Sequence, residues 1–264
     1  MNRAKLIKTW QEEEQQPFTG WDFSYLAGRM TEEQPPWSYL DRAEALMRRA
    51  SAVLDMGTGG GERLLKLRAA WPAQVVVTEE YPPNVQLAAA RLKPLGGQVV
   101  QVPLSGDDLM PFASGRFDLI LNRHSGLNCA EGARLLAPGG VFLTQQVHGL
   151  WAQDLLAEFG AAPQWPESKP EYYLPKLKAA GLAIERAETW QGQLIFHDLG
   201  ALVYYLHAVP WLVPGFSVTR HIDNLLRLHQ RLQEQGQLVF QARKYLIEAK
   251  QHENLSGSDQ TDHR

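Results

Sequence analysis

Residues 53–62 read Val-Leu-Asp-Met-Gly-Thr-Gly-Gly-Gly-Glu, a short apolar strand that ends in an acid and continues into closely spaced glycines. Glycines at a strand-to-helix turn allow positive φ angles and let a ligand approach main-chain atoms that a Cβ would shield. A dinucleotide site has the pattern G-x-G-x-x-G/A, but position 62 is Glu62 and not a small residue. The spacing is D-x-G-x-G-x-G instead, and it predicts a nucleotide-type cofactor loop.

An acidic pair follows the next predicted strand. Residues 74–78 read Gln-Val-Val-Val-Thr and lead into Glu79 and Glu80, so that Glu79 follows Gly57 by 22 residues (79 − 57). An acid about 20 residues after the first glycine of a βαβ unit is placed to bind a ribose diol. A carboxylate suits this role because its two oxygens can accept hydrogen bonds from both hydroxyls.

Two later stretches complete a family pattern. Residues 117–121 read Phe-Asp-Leu-Ile-Leu, and residues 135–143 contain a Pro-Gly-Gly turn that leads into another apolar strand. In this order, the patterns resemble the class I methyltransferases that use S-adenosylmethionine, and among them the type 11 group and its uncharacterised bacterial members. The resemblance covers residues 50–150. It implies a Rossmann-like α/β fold with a doubly wound, mostly parallel sheet of seven strands.

The resemblance also implies which residues bind the cofactor. The glycine loop would lie against the amino acid and ribose of S-adenosylmethionine, with no pyrophosphate involved. The implied cofactor-binding residues are Asp55, Gly57, Thr58, Gly59, Gly61, Glu79, Glu80, Asn122 and Arg123.

One further cofactor contact is ambiguous in register. The family places an acid between its third and fourth strands, where it meets the adenine amino group. An ungapped match puts Gly106 at this position, so Asp107 is the candidate, with Asp108 and Ser105 as alternatives.

The chain outside this core predicts additional segments. We expect an N-terminal helical lid at 1–50, the cofactor-binding core at 51–197, a helical cap at 198–236, a last core strand at 237–250 and a disordered tail at 251–264. The resemblance makes the last strand antiparallel. We expect two separate strands in the region just before the cap.

The predicted lid and cap carry many aromatic residues. Caps at this position in the superfamily commonly form the acceptor side of the pocket. The lid aromatics either dock this segment on the core or cover the acceptor. The predicted substrate-binding residues are Tyr25, Trp37, Tyr204 and Trp211. Arg29 either pairs with the carboxylate of the cofactor or is an exposed surface residue.

Methyl transfer from a sulfonium is an in-line displacement by an already activated reagent, so few catalytic side chains are needed. A hydroxyl or a protonated nitrogen as acceptor requires a base, which is commonly a histidine near neutral pH. His124, directly after the fourth predicted strand, is the first candidate, and His197, at the start of the cap, is the second. His148, after the fifth predicted strand, is a further candidate. Each could instead be structural. His197 and Asp198 are adjacent on a strand, so we expect no contact between their side chains.

The composition of the chain limits which other classes of partner, metal site and cell location are possible. The net charge of −3 and the pI near 6.2 disfavour nucleic acid as a partner. The single cysteine, Cys129, excludes an intrachain disulfide and a multi-cysteine zinc site, and we expect it to be a packed residue. We predict no metal site. The first residues lack the apolar stretch of a signal peptide and no apolar run reaches about 18 residues, which favours a cytoplasmic protein with no membrane association.

The leading hypothesis is a methyltransferase that acts on a small or medium-sized acceptor in an aromatic-lined pocket. The first alternative is an rRNA or tRNA base methyltransferase, because the Pro210-Trp211 segment resembles that of enzymes that methylate guanine in ribosomal RNA. A basic stripe could serve RNA; it consists of Arg42, Arg48, Arg49, Arg63, Lys66 and Arg68. The second alternative is a non-catalytic regulatory protein that binds the cofactor.

Overall fold

A computed structural model describes residues 3–19, 21–102 and 109–253. Within them, the chain forms one eight-stranded sheet with helices between the strands. The strand order is β1-β7-β8-β6-β5-β2-β3-β4. The predicted α/β class is therefore confirmed.

The elements have the following bounds. The strands are β1 Met30–Glu32, β2 Ala52–Met56, β3 Gln74–Glu79, β4 Gln98–Gln101, β5 Phe117–Arg123, β6 Leu136–Val147, β7 Leu182–Phe196 and β8 Leu238–Gln251. The helices are α1 Arg3–Glu14, α2 Tyr39–Met47, α3 Glu62–Leu65, α4 Pro82–Leu92, α5 Cys129–Leu135, α6 Gln153–Glu158, α7 Pro170–Ala179, α8 Leu199–Ala208 and α9 Ile222–Gln235. Short 3₁₀ turns lie at Ser24–Leu26, Arg68–Ala70 and Lys93–Leu95.

Five strands of the sheet, β2 to β6, are parallel neighbours. β2 pairs with β3 on one side and with β5 on the other, β3 pairs with β4, and β5 pairs with β6. The strand order therefore reverses between β2 and β5. In sheets of this kind, ligands bind beyond the carboxyl ends of the strands at such a switch point. The glycine loop follows β2 directly, so the fold places it at this position.

The antiparallel part of the sheet begins with β8. The Gly139 N–H donates to the His252 carbonyl, and the His148 N–H donates to the Arg243 carbonyl. As the residue number rises along β6 it falls along β8, so the two strands run in opposite directions. This confirms the expected antiparallel last strand.

The sheet differs from the prediction in its strand count. It has eight strands and not seven, because Met30–Glu32 in the predicted helical lid forms β1 and pairs antiparallel with residues 194–196 of β7. Three residues are too few to show the alternation that identifies a strand in a sequence. The two strands expected before the cap are one continuous strand, β7.

The chain forms two compact units. The first, called the glycine-loop unit, comprises Tyr39–Gln145, Tyr173–Ala187 and Leu246–Arg264. The second, called the aromatic unit, comprises Met1–Ser38, Gln146–Tyr172 and Glu188–Tyr245. The predicted lid and cap contribute residues to the aromatic unit, and their functions remain predictions.

Each unit has an apolar core of its own. In the glycine-loop unit, Leu54, Ile120 and Phe142 are fully buried on neighbouring parallel strands. In the aromatic unit, α1 packs against α8, and Trp10 and Leu202 belong to one buried cluster. Among the described residues, no helix is both long enough and apolar enough to cross a bilayer.

Candidate active site

The loop after β2 uses its glycines for backbone geometry. Gly57, Gly59 and Gly61 have φ angles of 69°, 62° and 83°, in the left-handed region that favours glycine. The N–H groups of Gly57 and Thr58 both donate to the Thr78 carbonyl at 3.0 Å, which fixes the loop to the end of β3. A Cβ on Gly61 would lie 3.0 Å from the Leu92 side chain. Other residues at these three positions would strain the turn.

Glu79 holds the loop from the side. Its carboxylate accepts from the N–H of Gly59 at 2.7 Å, of Glu80 at 2.9 Å and of Tyr81 at 3.0 Å, and the residue is only 6% exposed. A carboxylate has about four acceptor positions, so one remains after these three bonds. Glu79, the residue predicted to bind the ribose, is thus hydrogen-bonded to the glycine loop. Glu80 is exposed, and its N–H serves as one of the three donors.

Asp55, the acid of the loop motif, is a weak acid in this environment. Its pKa is raised from 3.8 to about 6, chiefly because burial disfavours the charged carboxylate. The Thr58 side chain and the positive charge of Arg123 lower the pKa in part, and the negative charge of Glu79 raises it. Arg123 pairs with Gln145 in the β5–β6 ladder, so it lies beside the switch point.

Asn122 has a structural function at the end of β5. Its side-chain amide donates to the Gly126 carbonyl at 3.1 Å, and its oxygen accepts from the Thr144 hydroxyl at 2.8 Å. The residue is fully buried. These two bonds fix the turn that carries the next residues, so Asn122 shapes the site as well as lying at it.

His124 occupies a strained position on this turn. Its φ angle is 54°, which is uncommon for a residue other than glycine. The His124 N–H donates to the Gln145 carbonyl at 3.0 Å, and its Nε2 lies 3.5 Å from the Gln145 side-chain nitrogen. The imidazole is exposed. Backbone strain of this type concentrates at functional sites, which supports the first catalytic candidate.

Tyr39 lies near Asp55 and Arg123, although no motif in the sequence identifies it. It is the first residue of α2 and is 8% exposed. Its pKa is raised, mainly by burial and then by the negative charge of Asp55, whereas Arg123 and the Asn122 main chain act in the opposite direction. No pattern in the sequence indicates this position, because a tyrosine before an amphipathic helix is commonly a packing residue.

His197, the second catalytic candidate, belongs to the aromatic unit. Its Nε2 lies 3.2 Å from the Thr31 hydroxyl, and its N–H donates to the Arg29 carbonyl. It also borders a cavity of about 450 Å³ together with Trp10 and His229. This cavity is formed entirely by residues of the aromatic unit.

Arg29 differs from both sequence interpretations. It is neither a fully exposed residue nor available for the cofactor, because its guanidinium binds Asp198 through two hydrogen bonds of 2.9 and 2.7 Å and Glu13 through two of 3.2 and 2.8 Å. Asp198 also accepts from the Ala201 N–H and so caps α8. The carboxylate of Asp198 therefore binds Arg29 and the first turn of α8. This agrees with the expectation that Asp198 does not contact the His197 side chain.

Three of the four predicted substrate residues belong to a chain of aromatic contacts. The rings of Tyr25 and Tyr204 are 4.7 Å apart, and Phe18 contacts Tyr204 at 6.4 Å. Trp21 connects Phe18 to Trp211, at 6.1 and 5.7 Å. Trp37, the fourth predicted substrate residue, is buried just before α2.

Cys129 is a packed residue, as its context indicates. It is buried at the start of α5, and burial raises the pKa of its thiol to about 11. A thiol with this pKa is protonated near neutral pH and is a poor nucleophile.

The adenine-contacting candidates Asp107, Asp108 and Ser105 lie outside the described residues. The segment after them is held firmly: Glu131 accepts from the Met110 N–H at 2.7 Å and pairs with Arg134, which donates to the carbonyls of Met110 and Phe112.

Known proteins share the sequence pattern of the glycine-loop region and the fold of the chain. Residues 54–144 match the family described as Methyltransferase domain, of type 11. A functionally unknown protein from Deinococcus radiodurans R1 superposes with a TM-score of 0.57 at 15% identity, covering 94% of this chain and 98% of that one. A proposed methyltransferase from Bacillus halodurans C-125 gives 0.56 at 19% identity, covering 81% and 97%.

A third structure, the YcgJ protein from Bacillus subtilis, gives a TM-score of 0.54 at 16% identity, covering 81% of this chain and 98% of that one. At these identities the structures show a common fold. The comparison with curated proteins found no match. Residues 54–144 are thus similar to the type 11 domain of the class I methyltransferases, and the cofactor of that family is S-adenosylmethionine.

The described residues fit this cofactor. The glycine loop exposes main-chain atoms beside a buried carboxylate with an acceptor position left over, and the hydroxyl oxygen of Ser125 is buried without a hydrogen-bond partner among the described residues. Unpartnered buried oxygens are rare and call for an explanation, which a polar ligand supplies.

Proposed function

We propose that the protein transfers a methyl group from S-adenosylmethionine to a small or medium-sized acceptor that aromatic side chains bind. The observation that carries this proposal is the carboxylate of Glu79, which holds the glycine loop and keeps one acceptor position. When bound, the sulfonium supplies an activated methyl group. The protein has to bind the cofactor, align the acceptor and exclude water.

Within this proposal, each residue of the site has a separate function. Glu79 accepts from a ribose hydroxyl, and the loop N–H and carbonyl groups border the cofactor. His124, held at a fixed backbone angle after β5, accepts the proton of an acceptor hydroxyl as its oxygen is methylated, or takes a proton from an acceptor ammonium so that the nitrogen lone pair can attack the methyl group. His197 is the alternative base.

The nature of the acceptor is inferred from the aromatic unit. Its chain of rings includes two large side chains that face solvent, with Trp21 48% exposed and Tyr25 42% exposed. Exposed aromatic groups on a supported cluster can stack on a planar or apolar molecule at small entropic cost. This supports an acceptor with an aromatic or apolar body.

The RNA alternative has less support. Arg42 of the basic stripe makes an ion pair with Glu248, Arg48 pairs with Glu44, and the Arg68 guanidinium lies over the Trp71 ring. Groups engaged in this way offer less charge to a phosphate backbone, and the net charge of −3 provides no general attraction.

The proposal can be tested with radiolabelled S-adenosylmethionine and cell extract separated into RNA, protein and metabolite fractions. We expect label in the metabolite fraction with the wild type, and none above background with Glu79→Ala. Label in the RNA fraction, together with RNA retention that falls steeply with salt, would instead support the first alternative. Cofactor binding without transfer to any fraction would support the second, a non-catalytic protein.

A further inference from the structure

The guanidinium of Arg243, on β8 in the aromatic unit, has a buried donor that the fold does not use. Its Nη2 donates to the Gln241 side chain at 2.8 Å, but its Nε is buried and has no hydrogen-bond partner among the described residues. No described carboxylate makes an ion pair with this side chain, in contrast to Arg29 and Lys244 of the same unit. An unpartnered buried donor costs free energy, and the cost is larger for a charged group. A ligand that accepts a hydrogen bond from Nε would remove this cost.

His148 lies opposite Arg243 and is also left with a donor. It is the first residue after β6, and its N–H donates to the Arg243 carbonyl at 3.0 Å in the antiparallel ladder with β8. Residues that are paired in this way project their side chains on the same face of a sheet. The His148 Nδ1 accepts from the Leu150 N–H at 3.1 Å, so the proton of the neutral ring is on Nε2. His148 and Arg243 therefore each present a nitrogen donor on one face.

The charges around His148 are mostly positive. Its pKa is lowered, first by burial and then by the positive charge of Arg243; Glu171 raises it, and Lys169 lowers it further. Two cations and one acid thus act on a ring that already has no proton to lose at Nδ1. Like charges that lie opposite each other in a ladder destabilise a sheet. A negatively charged ligand would offset this repulsion.

The turn after His148 is closely packed against the segment that carries Lys169. The Gly149 N–H donates to the Ser168 carbonyl at 2.6 Å. A Cβ on Gly149 would lie 2.3 Å from the Trp165 carbonyl oxygen, so only glycine fits at this position. The main chain therefore holds the positive charge of Lys169 near the turn, and all of these residues belong to the aromatic unit.

We propose that His148 and Arg243 bind an acidic group, a carboxylate or a phosphate, of the methyl acceptor. The oxygens of such a group can accept from Arg243 Nε and His148 Nε2, and charge-assisted hydrogen bonds are roughly twice as strong as neutral ones. β6 is one of the parallel strands, and ligands of such sheets bind beyond the carboxyl ends of the strands, where His148 follows. The inference rests on the proposed function because it describes the acceptor of that reaction.

The first test measures anion binding by NMR. Inorganic phosphate and benzoate, a carboxylate with an aromatic body, are titrated separately into the protein while the imidazole signals are followed. We expect one imidazole signal, which the His148→Asn spectrum lacks, to shift in a saturable manner with at least one of the two anions. The anion that binds more tightly shows which acidic group the acceptor carries. No saturable shift with either anion would overturn the inference.

A matched pair of arginine variants tests the specificity of the site. Arg243→Met keeps the aliphatic part of the side chain, and should weaken anion binding by about tenfold or more because a hydrogen bond to a charged group is lost. Arg227→Met is the control, since Arg227 is an exposed residue of α9 in the same unit and its loss changes the net charge equally. It should bind both anions as the wild type does.

Thermal melting separates binding from folding. Without an anion, Arg243→Met should melt at the same temperature as the wild type or higher, because an unpartnered buried donor has been removed. The anion that binds should raise the melting temperature of the wild type and of Arg227→Met, and leave that of Arg243→Met unchanged. Should Arg243→Met not fold, His148→Asn carries the same melting test. The asparagine oxygen can replace Nδ1 as the acceptor for Leu150, whereas the Nε2 donor is lost.

The labelled products of the extract assay connect this site with the acceptor. An anion-exchange resin should retain them at pH 7, because the acidic group that the protein binds is not the group that it methylates. Equal anion affinities of the wild type and Arg243→Met, or equal losses in Arg243→Met and Arg227→Met, would overturn the site. Label in uncharged products alone would overturn its assignment to the acceptor, and the proposed function would stand in each of these cases. If no fraction is labelled and only Arg243→Met loses anion binding, the proposed function fails and the anion site stands.

Discussion

The two units of this chain use charged groups in different ways. In the glycine-loop unit, Glu79 binds three main-chain N–H groups and keeps an acceptor position, while Asp55 has a pKa raised to about 6. In the aromatic unit, Arg29 is engaged by two carboxylates, and Lys244 is buried in an ion pair with Glu32. Under the proposed function, charges of the first type bind the cofactor. Charges of the second type satisfy one another.

This difference teaches how to separate functional from structural charge in such a fold. Under the proposed function, a ligand-binding group is buried with spare hydrogen-bonding capacity, whereas a structural group has its capacity filled by the protein. Substitutions of the two kinds of group should therefore be measured by different quantities: ligand affinity and turnover for one, and free energy of unfolding for the other.

The largest effect is expected for Glu79→Ala. Affinity for S-adenosylhomocysteine should fall by about 1.5 to 3 kcal/mol, up to roughly 150-fold, because charge-assisted hydrogen bonds to the ribose and the loop are lost. Calorimetry provides the measurement, and Glu44→Ala is the control because Glu44 is a surface residue paired with Arg48. Equal affinities for the wild type and Glu79→Ala would contradict the ribose assignment.

His124→Asn tests the base at an unchanged backbone. Asparagine tolerates a positive φ angle, so the turn at 54° should persist while the imidazole is removed. Turnover should drop by ~10²-fold with little change in cofactor affinity. Single-turnover assays with radiolabelled cofactor would measure this, and an unaltered rate would make His124 a structural residue and shift attention to His197.

Asp55 gives a pH-dependent stability. Between the unfolded pKa of 3.8 and the native value of about 6, the native state keeps a proton that the unfolded chain releases, so the free energy of unfolding declines as pH rises through this window. Urea unfolding of wild type and Asp55→Asn at pH 4 and pH 7 should show that the wild type loses about 2 kcal/mol relative to the variant. The carboxyl pKa values of Glu131 and Asp198 are lowered, but these groups are common to both proteins and cancel in the difference. A constant difference between the two proteins would show that Asp55 titrates normally.

The smallest effect concerns the aromatic unit. Arg29→Met leaves Glu13 and Asp198 facing each other without their cation, and should lower the free energy of unfolding by about 1 to 2 kcal/mol, since the group is partly exposed. The control Arg48→Met removes an exposed pair within one helix and should cost at most about 0.5 kcal/mol. Affinity for S-adenosylhomocysteine should be unchanged by Arg29→Met; a loss of affinity would return Arg29 to the cofactor site.

The sequence predicted the parallel strands and the loop at 57–61 well, because each depends on short-range patterns: apolar runs, spaced glycines and an acid at the end of a strand. The position of Glu79 at the end of β3 was predicted for the same reason, and its role in binding the cofactor stays a prediction. The strand β1 was missed because its three residues show no alternation, and it forms only through pairing with β7, over 150 residues later in the chain. Arg29 was misread because its role depends on Asp198, a partner distant in sequence.

The short strand β1 also affects how copies of this protein meet. It lies at one edge of the sheet, where unpaired N–H and carbonyl groups could template pairing with another molecule. Three residues offer few such groups, and the last of them, Glu32, directs its carboxylate to Lys244 and the Trp151 indole. A strand from another molecule could pair with only a few main-chain groups of this edge. We therefore expect little aggregation through this side of the sheet.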